Sequence, residues 1–397
     1  RGLGNIQAAF AYESQMDQLA QKLGLDPLEF RLQNAYQLGS RTATGQVLEE
    51  SVGVRATLEA IQPYWREAKK SAFGGAATSD GWVKRGAGIA TAWRCYPIGY
   101  REAFTELRED GRIVVETGAT EMGQGTFTIF AQMAADELKV PLESLVVVAG
   151  SNAHSAGSTT TQGHGNAIMD AVRNLKAVLL QAAADMLEEK VDNVRLENGF
   201  FSSVADSSLK IGLERLAAVA RGRGIPLRQK GSWHSRMERK FDFTTGQGVL
   251  GQVYGYSSQL AEVEVNTQNG EIKVRRIVAA IDAGRVINPL NLEGQVEGSV
   301  VQGMGFALME GFVPGQSRRF KDYRIPTLRD IPEIVCLLVE EPVPSGPYGA
   351  KGAGELAIAA TPAAIMNAVA NALGVRIFHL PATPERVLEA LKGQPAQ

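Results

Sequence analysis

Residues 260–309 read LAEVEVNTQNGEIKVRRIVAAIDAGRVINPLNLEGQVEGSVVQGMGFALM. How this stretch parses settles the architecture. Residues 260–266 and 271–281 form two strands of a hairpin, with Gln268-Asn269-Gly270 as the turn. Residues 289–309 then read as a helix carrying small residues at Gly294, Gly298, Gly303 and Gly305. Upstream the same mixture recurs. Strands are predicted over 85–93, 103–108, 112–118 and 144–149, and helices over 8–23, 51–65, 126–138 and 166–190. Asp26-Pro27 starts a further helix, with aspartate as the cap. Downstream, 334–339 reads as a strand and 361–373 as a helix. Hairpins interleaved with long helices imply an α+β chain of mixed sheets and packed helices, not a strict βαβ alternation.

The 397 residues are ample for a large core, and 44% are hydrophobic against 21% charged, so disorder of the bulk is excluded. The small polar stretch 69–80 (KKSAFGGAATSD) is the best boundary, separating a region 1–75 from a region 80–397. Lys and Arg number 41 against 43 Asp and Glu, which leaves no basic excess for nucleic acid. No run of 18 apolar residues is present, so no membrane span is expected. Cys95 and Cys336 are the only cysteines. They exclude a disulfide framework, a four-cysteine zinc site and an iron–sulfur cluster held by this chain alone. The chain opens in mid-motif at Arg1, which reads as a fragment, a processed subunit or part of a split enzyme.

Glycine, at 43 residues, clusters in motifs rather than linkers. In 121–126 (EMGQGT), Gly123 and Gly125 flank Gln124 between a strand and a helix, so backbone can approach a ligand and the helix start offers N–H groups to an anion. The alternative is a plain strand-to-helix turn. The segment 155–161 (SAGSTTT) supplies hydroxyls before a long helix, as a cofactor contact or simply a capped loop. In 349–355 (GAKGAGE), Gly352 and Gly354 place Glu355 on a tight turn before Leu356, Ala357 and Ile358. Such a carboxylate is a candidate base, or a glutamate serving the helix dipole. Gln295 needs a partner if buried. His154 and His164 are potential ligands but more ordinary as structural histidines. Arg94 beside Cys95 would favour the thiolate, although a lone strand cysteine is usually inert.

Together these segments resemble the molybdenum-binding subunit of the xanthine dehydrogenase and aldehyde oxidase family of molybdenum hydroxylases. The likeness runs in order through RGLG (1–4), TEMGQGT (120–126), SAGS (155–158), DAGRVINPLNLEGQVEGSVVQGMG (282–305), YRIPT (323–327) and GAKGAGE (349–355). It implies that family's molybdopterin-binding fold and a molybdenum-molybdopterin cofactor, with the cytosine dinucleotide form as a variant. Glu355 matches the family's catalytic glutamate, the general base for attack of a water-derived oxygen on an electron-poor carbon. Gln124, with Gly123 and Gly125, matches the cofactor's metal end. Ala156, Gly157 and Ser158 match the loop that holds the cofactor, Gln295 a pterin contact, and Arg1 an arginine whose backbone lies beside the metal. Gly352 and Gly354 leave room for the pterin. No protein side chain is expected to ligate the metal.

Three departures refine the expectation. CO dehydrogenases of the family carry cysteine where Gly2 stands, which disfavours copper-dependent CO oxidation. Purine-oxidising members place phenylalanine at Leu3 and at the position of Trp93, so Trp93 would stack on a flat ring while Leu3 forms a weaker lid. An N-heterocycle or an aldehyde is therefore expected as substrate. The family's N-terminal molybdopterin-binding half, its iron–sulfur subunit and its FAD subunit would be partners, and the location cytoplasmic. The competing reading is a non-catalytic structural subunit of a molybdoenzyme complex.

Overall fold

The computed structural model describes residues 1–72, 81–96, 99–150, 156–206, 208–237 and 240–393. The main sheet has four strands in the order Val83–Tyr96, Val253–Asn266, Ile272–Asp282 and Glu333–Val339. The first three are antiparallel and the last pairs in parallel. The expected hairpin is present, with Val265 opposite Ile272. Its first strand begins at Val253 rather than at 260. Residues 253–261 are buried without a break, so no alternation marks them in the sequence.

Helices cover both faces of this sheet. Asn5–Lys22, Pro289–Leu308 and Leu356–Leu373 bury one apolar cluster, including Ile277, Val300 and Ile365. Val54–Ala72 and Pro27–Gln33 bury another through Leu28, Ile61, Trp65 and Ile89. By length and composition Leu356–Leu373 is apolar enough to cross a membrane, contrary to the sequence expectation. Scattered Thr, Pro and Asn break the run of apolar letters without lowering its mean hydropathy much. It is 94% buried in the protein, where it serves as the core helix.

A second sheet, ordered Leu145–Ala149, Ile113–Thr117, Arg101–Leu107 and Arg228–Trp233, is backed by Thr126–Leu138 and Thr160–Leu187. The latter helix starts at Thr160, not at 166, because its first turns pack closely: Gly165 lies against Pro347 and Met133. A small sheet (Val194–Glu197, Phe200–Ser203, Lys210–Gly212) and the helix Leu213–Gly222 extend this core, in a region the sequence left unresolved.

Near the start of the chain Asp26 caps its helix as expected, accepting from the Leu28 and Glu29 N–H groups. It also accepts from the Trp65 indole and pairs with Lys69. Partial burial pushes the Asp26 carboxyl up, but these donors outweigh it and hold the group below its ordinary range. The helix carrying Trp65 continues to Ala72, so residues 69–72 of the anticipated boundary are helical. The remainder of that boundary, 73–80, lies outside the described residues, as does His154.

Candidate active site

Four of the glycine-bearing segments meet at one cleft with about 740 Å³ of open space. Gln124, Ser158, Asn291, Gln295, Lys351, Gly352 and Gly354 are among its lining residues. The main and second sheets meet here: Gln124 and Ser158 come from the second sheet's helix starts, and the 282–295 and 350–354 segments come from the main sheet and its helices.

A buried ion pair fixes the floor. Lys351 Nζ lies 2.6 Å from Asp282 Oδ2, and both side chains are fully buried. Asp282 also accepts from the Gly284 N–H, and the Lys351 N–H donates to the Ala283 carbonyl. Burial pushes the Asp282 carboxyl up and the Lys351 ammonium down, each against the pull of the other. Neither residue stood out in the sequence. The available signal was a lysine and an aspartate inside otherwise small or apolar motifs, where only a paired charge is tolerated.

Glycine at 352 is required by the protein itself. A Cβ there would fall on the Ser158 carbonyl oxygen, and the Gly352 carbonyl in turn accepts from the Tyr96 hydroxyl. At Gly354 a Cβ would meet only the Ser158 hydroxyl, at 3.4 Å. Gly352→Ala is therefore expected to cost about 1–3 kcal/mol through forced backbone movement. Gly354→Ala should cost well below that, and chemical denaturation of the two variants side by side would read the difference.

The turn at 121–126 differs from its sequence reading. The Glu121 carboxylate accepts from the N–H groups of Gly123, Gly125 and Phe127, so the helix start already holds an anion of its own. Partial burial raises this carboxyl, but the backbone donors prevail and hold it below the ordinary range. Gln124 folds back on the same turn, accepting from Met122 N–H and donating to Thr120 O and Thr126 Oγ1. The neighbouring Asn291 is different. Its Nδ2 is buried, sits on the position a Cβ of Gly125 would fill, and has no hydrogen-bond partner among the described residues. Gln295 does find a partner, accepting from Arg1 at 2.5 Å, while Arg1 also donates to Ser299 and Gln302. Desolvation lowers the Arg1 guanidinium and the field of Glu355 raises it, with desolvation ahead.

Glu355 stands at the edge of the cleft, at the start of Leu356–Leu373. Apolar neighbours follow it as read, but its carboxylate is far from isolated. Oε1 accepts from the Gly2 N–H at 2.8 Å, and Oε2 accepts from the Ser158 hydroxyl at 3.2 Å. Arg94 Nη2 lies 2.6 Å from Oε2, with side chains 21% and 16% exposed. Ser158 holds a left-handed backbone (φ 60°), which aims its hydroxyl at Glu355. Ala156 and Gly157 complete that loop, and a Cβ on Gly157 would lie 3.1 Å from Arg94 Nη2.

Strand alternation explains why Arg94, and not Trp93, meets Glu355. Ala87 and Ile89 pack under Val54–Ala72, while Ala90 and Ala92 face Leu356–Leu373. Arg94 and Tyr96 follow the second set. Trp93 follows the first, its ring 5.7 Å from Tyr254, and Cys95 packs in that same layer, away from the Arg94 guanidinium. Leu3 is 94% exposed and lines a separate groove in which Ile6, Phe306 and Ile358 lie beside Arg1, Gln302 and Glu310. His164 is buried in the second core, 3.2 Å from the Thr117 hydroxyl, and takes no part in the cleft.

Comparison with known proteins bears on this arrangement. Models of the molybdopterin cofactor-binding domain match residues 1–35 and 39–332. Among relatives, the nicotine 6-hydroxylase large subunit of Paenarthrobacter nicotinovorans is 30% identical over 99% of the chain and 51% of its own length. Aldehyde oxidoreductase of Megalodesulfovibrio gigas is 33% identical over 99% of the chain and 41% of its own. The solved aldehyde oxidoreductase from Desulfovibrio gigas superposes with a TM-score of 0.85 at 32% identity, over 99% of this chain and 41% of that one. Quinoline 2-oxidoreductase from Pseudomonas putida 86 gives 0.85 at 25%, over 98% and 52%. The chain spans about half the length of these relatives or less.

Proposed function

The chain belongs to the molybdopterin cofactor-binding domain family, and from this we propose that it forms the cofactor-holding and base-bearing part of a molybdenum hydroxylase. The reaction we assign is oxidation of an N-heterocycle or an aldehyde by a water-derived oxygen. The observation that carries it is Glu355, a carboxylate held by three donors at the edge of the cleft. A carboxylate offers about four lone-pair sites. With three engaged, one remains to accept a proton, and the donors keep it aimed.

The cleft suits a bulky polar cofactor. Asn291 brings a buried donor that lacks a partner, and Gln295 and Ser158 bring further polar atoms. The long helix from Thr160 has no side-chain cap and opens beside the cleft, where its start favours a phosphate. Bound there, the molybdenum-pterin would supply the redox chemistry, taking the electron pair from the substrate carbon. Asn291, Gln295 and Ser158 would orient it, and Glu355 would receive the proton. Iron–sulfur and FAD partner subunits, with a further molybdopterin-binding half, would carry the electrons away and close the cleft.

The test is the molybdenum-to-chain ratio of the protein purified with its native partners, by elemental mass spectrometry. About one molybdenum per chain is expected. A molybdenum-free complex, from a host that makes the cofactor, would overturn the proposal.

A further inference from the structure

The residue on Glu355 that no motif accounts for is Arg94. Its Nη2 takes Glu355, and its buried Nε has no hydrogen-bond partner among the described residues. A guanidinium has five N–H donors in a fixed fork suited to carboxylates. Burying one of them unpaired is unfavourable unless an acceptor arrives. Charge points the same way. Arg94 pairs with Glu355 directly, and the Arg1 guanidinium, held by Ser299, Gln302 and Gln295, also lies within its field. Elsewhere in the cleft Lys351 is paired with Asp282, while Arg285 adds a further guanidinium to its lining. Both Arg94 and Glu355 keep some exposure, so a small molecule meets the exposed part of the guanidinium first and the buried Nε only once the side chain shifts.

We propose that Arg94 is a specificity-determining residue that selects substrates carrying a carboxylate close to the carbon oxidised. This inference rests on the reading of Glu355 as the base, since it places the substrate beside that residue. Unpaired donors of Arg94 meet the substrate carboxylate while Glu355 stays held. A cationic substrate would face the excess positive charge and be disfavoured.

The experiment uses the assembled, cofactor-loaded enzyme. Rates are compared for benzaldehyde against 2-carboxybenzaldehyde, and for quinoline against its 3-, 4- and 8-carboxylates. Binding of benzoate against benzamide is followed by calorimetry, which reads the site even where turnover is slow. The wild type is expected to favour the carboxylated member by about 10- to 100-fold, mostly in KM. Arg94→Met should abolish the preference and Arg94→Lys keep part of it. A general disturbance of Glu355 lowers both members of a pair and cancels in the ratio. Equal preference for the neutral member in the wild type, no tighter binding of benzoate than of benzamide, or a ratio unchanged in Arg94→Met would each overturn the proposal. Failure of the base reading shows separately, as retained turnover in Glu355→Gln on every substrate.

Discussion

Glu355→Gln should lower kcat by about 10²–10⁴-fold while molybdenum content stays at the wild-type level. The amide has nearly the shape of the carboxylate. Its oxygen still accepts from the Gly2 N–H or the Ser158 hydroxyl, so the turn that carries it survives. The variant loses the capacity to take up a proton and the ion pair with Arg94. That pair is partly exposed, so its loss weakens folding modestly, and the deficit should concentrate in turnover. Saturating kinetics together with elemental analysis of the same sample would check this. Full molybdenum with activity within tenfold of wild type would remove Glu355 from the reaction.

Lys351→Met should be the most destabilising single change in the cleft, at about 3–5 kcal/mol. It strands the Asp282 carboxylate in a fully buried position with only the Gly284 N–H as donor. Replacing both partners, as Asp282→Leu with Lys351→Met, should recover most of the loss, because the desolvation of two charges is then also removed. Denaturant midpoints of the two singles and the double form the cycle that isolates the coupling. Additive losses would show that the pair contributes no more than its separate packing.

Much of the fold was legible because its elements carry local marks. The turn Gln268-Asn269-Gly270, the cap at Asp26 and the helix opened by Pro289 all lie where the sequence put them. Elements buried on both sides were harder. Residues 253–261 of the strand from Val253 and the first turns of Leu356–Leu373 have no exposed face, and period is the signal that sequence reading depends on.

The site was legible as segments and illegible as contacts. Glu355, Ser158, Gln124 and Gln295 border one cleft or its edge. Arg94 was hidden because only the alternation of a whole strand decides which neighbour faces the helix. Glu121 was hidden because its carboxylate reaches forward across its own turn. Lys351 and Asp282 lie 69 residues apart, and nothing local links them.

The hydrogen bond from Gly2 to Glu355 joins positions separated by 353 residues. During synthesis, at about 5–20 residues per second, the first partner waits roughly 20–70 s for the second. No shorter length of nascent chain can present the finished carboxylate. Chains released before residue 355 would lack this clasp, and a truncation series across 340–360 would show it arriving in a single step.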